Sequence, residues 1–178
     1  MKMRTPVLLL GVLGGLAVAG PASAAENIFL SLTGITGGEL VQPNYKGQID
    51  ILAFSQTVAR TSDGSKPTCG VINVQKLLDQ ASAPLIASVL TGNVIQTGVL
   101  SVVVPNGAAT TQIYKISLQG VVVTSVSQSV SAAAGGLPIE SVTLQAQRVQ
   151  LSVDTPSPTG GTGTVTVASI NCMTDTAQ

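Results

Sequence analysis

Two cysteines, Cys69 and Cys172, are the residues of this chain best equipped for chemistry, and the absence of any histidine decides which chemistry is open to them. A Cys-His nucleophile, a Ser-His-Asp triad and a Cys/His zinc site would each lack a member. The carboxylates stand singly along the chain, so no adjacent pair announces general acid-base work. Asp50 and Glu140 lie on strand-like runs and are the two that could face a pocket; without partners, they read as surface groups or as ion pairs with Lys46 or Arg148. The glycine-rich run TGGTG lacks the Lys-Ser/Thr of a phosphate loop and precedes no strand-to-helix unit. Phe29, Tyr45, Phe54 and Tyr114 are too sparse to form a base-stacking platform. The reading is a protein without catalytic residues, without a metal and without a cofactor.

The start of the chain sets the compartment. Lys2 and Arg4 precede an uncharged run from Val7 to Gly20, which ends in Pro21-Ala22-Ser23-Ala24. A positive start, an apolar middle and a small-x-small end form a secretory signal, with cleavage expected between Ala24 and Ala25. The apolar run is shorter than the roughly 20 residues that a membrane-crossing helix needs, and no later run supplies one. The expected mature product is therefore exported, periplasmic or extracellular, with no membrane segment. In an oxidising compartment Cys69 and Cys172 are expected to form a disulfide. Closing a loop of about 100 residues has a chain-entropy ceiling of about 4 to 5 kcal/mol.

The 178 residues carry 8 basic and 8 acidic side chains, and loss of Lys2 and Arg4 turns the balance slightly acidic. That excludes the basic face a nucleic-acid partner requires. Charged residues are 9% of the chain, far below the roughly 25% of an average domain. Ser, Thr, Gln and Gly must cover the surface instead, as suits a rigid β protein or a subunit with contacts to others.

The elements that would position these residues follow a period of two. In IFLSL, Ile28, Leu30 and Leu32 share a face; in GQIDILAFSQTVAR, Ile49, Ile51 and Ala53 oppose Asp50, Leu52 and Phe54. CGVINVQKLL has the β-branched run of a strand, although Lys76, Leu77 and Leu78 could begin a helix. The clearer helix is DQASAPLIASVLTGN, with Ser82 as N-cap, Pro84 in the first turn and Gly92 as left-handed stop. Its stripe of Leu85, Ile86, Val89 and Leu90 is expected to be core. GVLSVVV and TQIYKISL flank Asn106-Gly107, a hairpin signal, and the second arm continues past Gly120, a bend or bulge, through VVVTSVS. In ESVTLQAQRVQLSV the apolar phase changes between Ala146 and Val149, which predicts a β-bulge near Gln147 or Arg148. DTPSPTGGTG reads as a linker and TVTVASI as a last strand before Cys172.

In this order, IFLSLTGITG, IDILAFSQ, LLDQASAPLIASVLTGNVI, IYKISLQGVVVTSVS and PIESVTLQAQRVQLSV resemble successive segments of the haemolysin-coregulated protein (Hcp) family, the tube subunit of type VI secretion. The resemblance spans residues 28–153; it departs from the family at Ala53, Leu151 and Val153, where members carry aromatic residues, and in the secretory signal. It implies a mainly β fold, a two-sheet β-barrel with one short α-helix, here followed by a C-terminal extension. The expected organisation is a signal peptide at 1–24, the barrel domain at 25–153, and a Gly/Pro/Thr linker with a short strand at 154–178. It further implies a secreted structural protein, a ring or tube subunit that associates with itself as a homo-hexamer and accompanies secreted effector proteins. The alternative keeps the barrel but not the ring: a monomeric periplasmic or extracellular binding module whose loops at 34–47 and 128–138 contact a ligand or partner.

Overall fold

A computed structural model of the chain describes residues 26–38, 43–60, 68–106, 109–130, 136–154, 165–172 and 176–177. The expected signal and its Ala24–Ala25 junction lie outside the described residues, as do parts of the 34–47 and 128–138 loops and most of the linker. The strands are β1 (Asn27–Leu32), β2 (Ile49–Ile51), β3 (Ala53–Ala59), β4 (Thr68–Leu77), β5 (Val94–Asn106), β6 (Ala109–Ser129), β7 (Ile139–Asp154), β8 (Val165–Asn171) and β9 (Thr176–Ala177); α1 (Ser82–Thr91) is the α-helix among the described residues. The fold is mainly β with one α-helix among the described residues, as the sequence indicated.

The strands form one antiparallel sheet in the order β2-β1-β5-β6-β7-β4-β3, with β8 and then β9 added beside the second half of β7. Chain neighbours β2 and β3 sit at opposite ends of that order, so the sheet must curl to bring them together. Leu52 lies between them, and its N–H donates to the Gln75 carbonyl of β4 at 2.7 Å. One bent strand thus pairs with β1 through its first part and with β4 through its second, giving the half-barrel its two facing walls. Leu30, Ile49, Ile72, Val74, Leu100, Ile116, Leu118 and Leu144 line the interior with 2% exposure or less. Each large aliphatic side chain buried this way is worth about 1.5–3 kcal/mol.

The period-two pattern holds in detail on β4, where Ile72, Val74 and Lys76 point inward, and on the first part of β7, where Glu140, Val142, Leu144 and Ala146 do. Beyond Ala146 the inward phase changes to Val149, yet the predicted bulge is not a register slip of β7. Gln119 pairs with Arg148 and Val121 with Ala146, in one register on both sides, with Gly120 and Gln147 between. The inward phase of β6 changes at the same place, from Ile116 and Leu118 to Val121 and Val123. Both strands turn over together, one residue from each being spent at the crossing. Gly120 makes this possible with φ +61°, a conformation that L side chains rarely adopt. The register shifts of the sheet lie elsewhere, between Gln56 and Val58, Val102 and Val103, and Val123 and Ser125.

α1 ends as expected: Gly92 is left-handed at φ 65°, and its N–H donates to the Ser88 carbonyl at 3.0 Å. Its start and its buried face differ from expectation. β4 continues through Leu77, the helix begins at Ser82, and Ala81 holds the cap position with no side-chain cap bond. The buried residues are Ser82, Leu85 and Ser88, while Ile86 is 37% and Leu90 is 81% exposed. Small residues let the helix approach β6 closely, and two of the four stripe residues are left facing outward.

Candidate functional site

The principal polar constellation of the interior is centred on a rung that crosses three strands. Lys76 of β4 pairs in register with Glu140 of β7, and Glu140 with Gln128 of β6. Lys76 Nζ donates to Glu140 Oε2 at 2.5 Å, to Ser82 Oγ at 3.1 Å and to the Leu77 carbonyl at 2.8 Å, and it stands 2.7 Å from Asp79 Oδ1. Ser82 Oγ donates to Glu140 Oε2 at 2.5 Å, and Gln128 Nε2 donates to Glu140 Oε1 at 2.5 Å. Lys76 and Glu140 are both at 0% exposure.

The chemistry of this cluster follows from those bonds. Burial pushes the Glu140 carboxyl upward, but hydrogen bonds from Lys76, Ser82 and Gln128 together with the Lys76 charge outweigh burial and hold it below its usual value. Lys76 Nζ lies between the Glu140 and Asp79 carboxylates, and Ser82 donates its hydroxyl hydrogen to Glu140. The donors and acceptors of the cluster are thus engaged with one another, and together they act as an anchor. It ties the N-terminus of α1 to β4, β6 and β7. The Asp79 carboxylate completes the anchor by accepting from the Ala81 N–H at 2.9 Å.

Of the residues singled out from the sequence, Glu140 is buried and paired with Lys76, not with Lys46 or Arg148. Arg148 is exposed and donates to Gln119 Oε1 at 3.2 Å. Asp50 sits on the outward face of β2, its carboxyl pushed up by partial burial and by the nearby Asp79, against a lowering bond from the Ile51 backbone. Lys76, Asp79, Ser82 and Gln128 were not identified as a site in the sequence. The available signal was phase: Lys76 falls in step with Ile72 and Val74, and Glu140 in step with Val142 and Leu144, placing opposite charges on two inward faces. Among the described residues, no group of three or more His, Cys, Asp or Glu side chains could hold a metal ion.

Cys69 and Cys172 form a disulfide with Cα atoms 5.5 Å apart. Its position is specific. β4 pairs with β7 as far as Ile72↔Leu144, and β8 pairs with β7 from Asn171↔Arg148 onward. The bridge therefore lies where one neighbour of β7 leaves and the next takes over, and the Cys172 N–H marks the point by donating to the Gln147 carbonyl at 2.8 Å.

Beyond the anchoring rung, the next rung is Leu77–Ile139–Ser129. Alternation turns Leu77 and Ile139 outward, at 39% and 44% exposure, and Leu78, Val130 and Leu137, each within two residues of this rung in the chain, are exposed as well. This end of the sheet carries an apolar rim on a chain otherwise poor in charge, the kind of surface that subunit contacts cover.

Comparison with known proteins assigns this architecture. The family described as type VI secretion system effector, Hcp, matches residues 29–153 of the 178. The chain belongs to the Hcp family. Solved structures share its fold. A type six secretion system protein superposes with a TM-score of 0.78 at 18% identity, covering 86% of this chain and 100% of its own. Hcp1 from Salmonella typhimurium gives 0.71 at 21% identity, covering 86% of this chain and 99% of its own. A type VI secretion system effector from Yersinia pestis gives 0.66 at 21%, covering 81% and 98%. No curated protein matches the chain significantly. Among the described residues no helix of this Hcp-family chain is long and apolar enough to cross a membrane.

Proposed function

We propose that this Hcp-family chain is an exported structural subunit without catalytic activity. It is cut between Ala24 and Ala25 and associates with itself into hexameric rings that accompany effector proteins in type VI secretion. The observation that carries the reading is the family match over residues 29–153, together with a fold that superposes on solved Hcp proteins along nearly their whole length. Two features of the chain support it. The polar side chains Lys76, Ser82, Gln128 and Glu140 are engaged with one another in a charge anchor at the start of α1. The surface is poor in charge and carries the apolar rim around Leu77, Leu137 and Ile139, which association would cover. In this reading residues 1–24 are the leader, 25–153 the ring-forming domain, and 154–178 an extension held to it by the Cys69–Cys172 bridge.

Expression of the full chain in a Gram-negative host, followed by fractionation and N-terminal sequencing, tests the export. The expected product begins at Ala25 outside the cytoplasm. Negative-stain microscopy of that product tests assembly: closed rings support the reading, and uniformly monomeric particles contradict it in favour of a binding module.

A further inference from the structure

β8 buries little of its side-chain surface. Val165 and Val167 are each 53% exposed, Thr166 and Ala168 are also exposed, and Ile170 is the buried member of the strand at 6%. β8 is joined to β7 by seven register pairs, from Arg148↔Asn171 to Asp154↔Val165, to β9 by a short pairing, and to β4 by the disulfide immediately after its end, where the Cys172 N–H also donates to the Gln147 carbonyl. An edge strand that buries so little apolar surface belongs to the low-stability end of a fold, where local opening is easiest. Beneath it, Arg148–Asp154 of β7 is a row of backbone donors and acceptors already shown to fit β8 in register. A surface pocket of about 180 Å³ lies against the bridge, lined by Gly120, Val122, Gln145, Ala146, Gln147 and Cys172.

We propose that the Arg148–Asp154 edge of β7 is a strand-accepting interaction surface whose occupant is exchangeable: β8 of the same chain while Cys69–Cys172 is oxidised, and β8 of a second copy once the bridge is reduced. The second copy is the partner because its β8 offers the same register and the same Ile170, and because its Cys172 can close a bridge to this chain's Cys69. Unpaired sheet edges are the sites where strands of other chains add, and exchange of an identical element is a low-cost route to association. The switching step needs a dithiol. One thiolate of the dithiol attacks a bridge sulfur and displaces the other cysteine as thiolate; the second thiol then resolves the mixed disulfide. Two electrons and two protons pass to Cys69 and Cys172, and the dithiol leaves as its own disulfide. Reoxidation between chains by a small-molecule disulfide, which takes up the two electrons and two protons and leaves as two thiols, restores the same bond with its two halves on different copies.

The test mixes unlabelled and ¹⁵N-labelled protein purified without its leader. The mixture is treated with dithiothreitol under native conditions, the reagent is removed, and the bridge is reoxidised. The Cys69–Cys172 linked peptides are then weighed. The proposal expects about half of the bridges to join a labelled to an unlabelled half, and none in a mixture that was never reduced. It also expects the Arg148–Asp154 amides that face β8 to exchange at least tenfold faster after reduction at a concentration too low for a second copy to fill the edge, while Ile116 and Leu118 on β6 stay protected. Bridges that rejoin only within one label, or β8-facing amides at Arg148–Asp154 that exchange equally in both redox states, would overturn it. The Cys69→Ser/Cys172→Ser variant repeats the exchange measurement without reagent, and the wild-type result stands alone should that variant not fold. A hexameric mass with unmixed bridges would sink the strand exchange and leave the ring intact, whereas mixed bridges in a protein no larger than a dimer would do the reverse.

Discussion

Lys76 and Glu140 meet across neighbouring strands with ammonium and carboxylate 2.5 Å apart, and neither side chain reaches solvent. A sealed ion pair gives up the hydration of both charges. It is tolerated here because the bonds from Ser82, Gln128 and the Leu77 carbonyl satisfy the groups the pair leaves over. What it secures is position, fixing the start of α1 over three strands.

Removing one partner should therefore cost more than removing both. Glu140→Gln leaves the Lys76 ammonium buried beside Asp79 alone and is expected to lower unfolding free energy by about 3–5 kcal/mol. The double variant Lys76→Met/Glu140→Leu, which restores an apolar rung, is expected to recover most of that loss. Urea unfolding of the wild type and the two variants measures it; a double variant as unstable as Glu140→Gln, or more so, would contradict the anchor.

Acid should weaken the same anchor. The Glu140 carboxyl in the folded chain lies below its ordinary value of 4.5, so the folded state binds its proton less readily than the unfolded chain does. Its stabilising contribution is fully present above that ordinary value and is lost as pH falls through the depressed folded one. Asp50 has the opposite sign: raised above 3.8, it favours the folded state at low pH and loses that contribution as pH rises through its folded value. Stability measured from pH 6 downward is expected to fall more steeply for the wild type than for Lys76→Met/Glu140→Leu. Parallel curves would remove Glu140 as the cause.

Gly120 should resist substitution. A Cβ there would stand 2.5 Å from Gln147 Cδ while the backbone keeps φ +61°. Gly120→Ala is expected to cost on the order of 1–3 kcal/mol from backbone strain and crowding. Adding Gln147→Ala should return only part of it, because the crowding is relieved and the backbone strain is not. Thermal unfolding of the single and double variants distinguishes the two contributions, and full recovery would show that strain plays no part.

The bridge should also stabilise globally. It joins positions 103 apart in sequence, and its removal in Cys69→Ser/Cys172→Ser is expected to cost about 2–5 kcal/mol by denaturant titration. An unchanged midpoint with an unchanged slope would mean that the bridge constrains neither the folded nor the unfolded chain.

The strands were legible because alternation is a local signal: Ile49 and Ile51 are buried with Asp50 outward between them, as their spacing indicates. Gly92 was legible for a similar reason, since a left-handed helix stop asks for one residue type. Three features were not. The four-residue stripe of α1 looked like core because helical spacing reports which residues share a face, but not how much of that face a sheet end can cover; Leu85 is sealed while Leu90 stays exposed. The phase change at Gln147 looked like a bulge in one strand because a single strand cannot reveal that its neighbour changes phase at Gly120 in step. The anchor escaped because Lys76 and Glu140 lie 64 residues apart, and only pairing of β4 with β7 brings them onto one rung. Ser82 looked like a helix cap for want of that knowledge; its hydroxyl is drawn instead to Glu140.

Native mass spectrometry of the chain expressed from Ala25 onward, at micromolar concentration, tests the central claim most directly. Association of identical charge-poor barrels into a closed ring predicts a dominant species at six times the mass of the chain beginning at Ala25. A spectrum containing only the single-chain mass across that concentration range would contradict it.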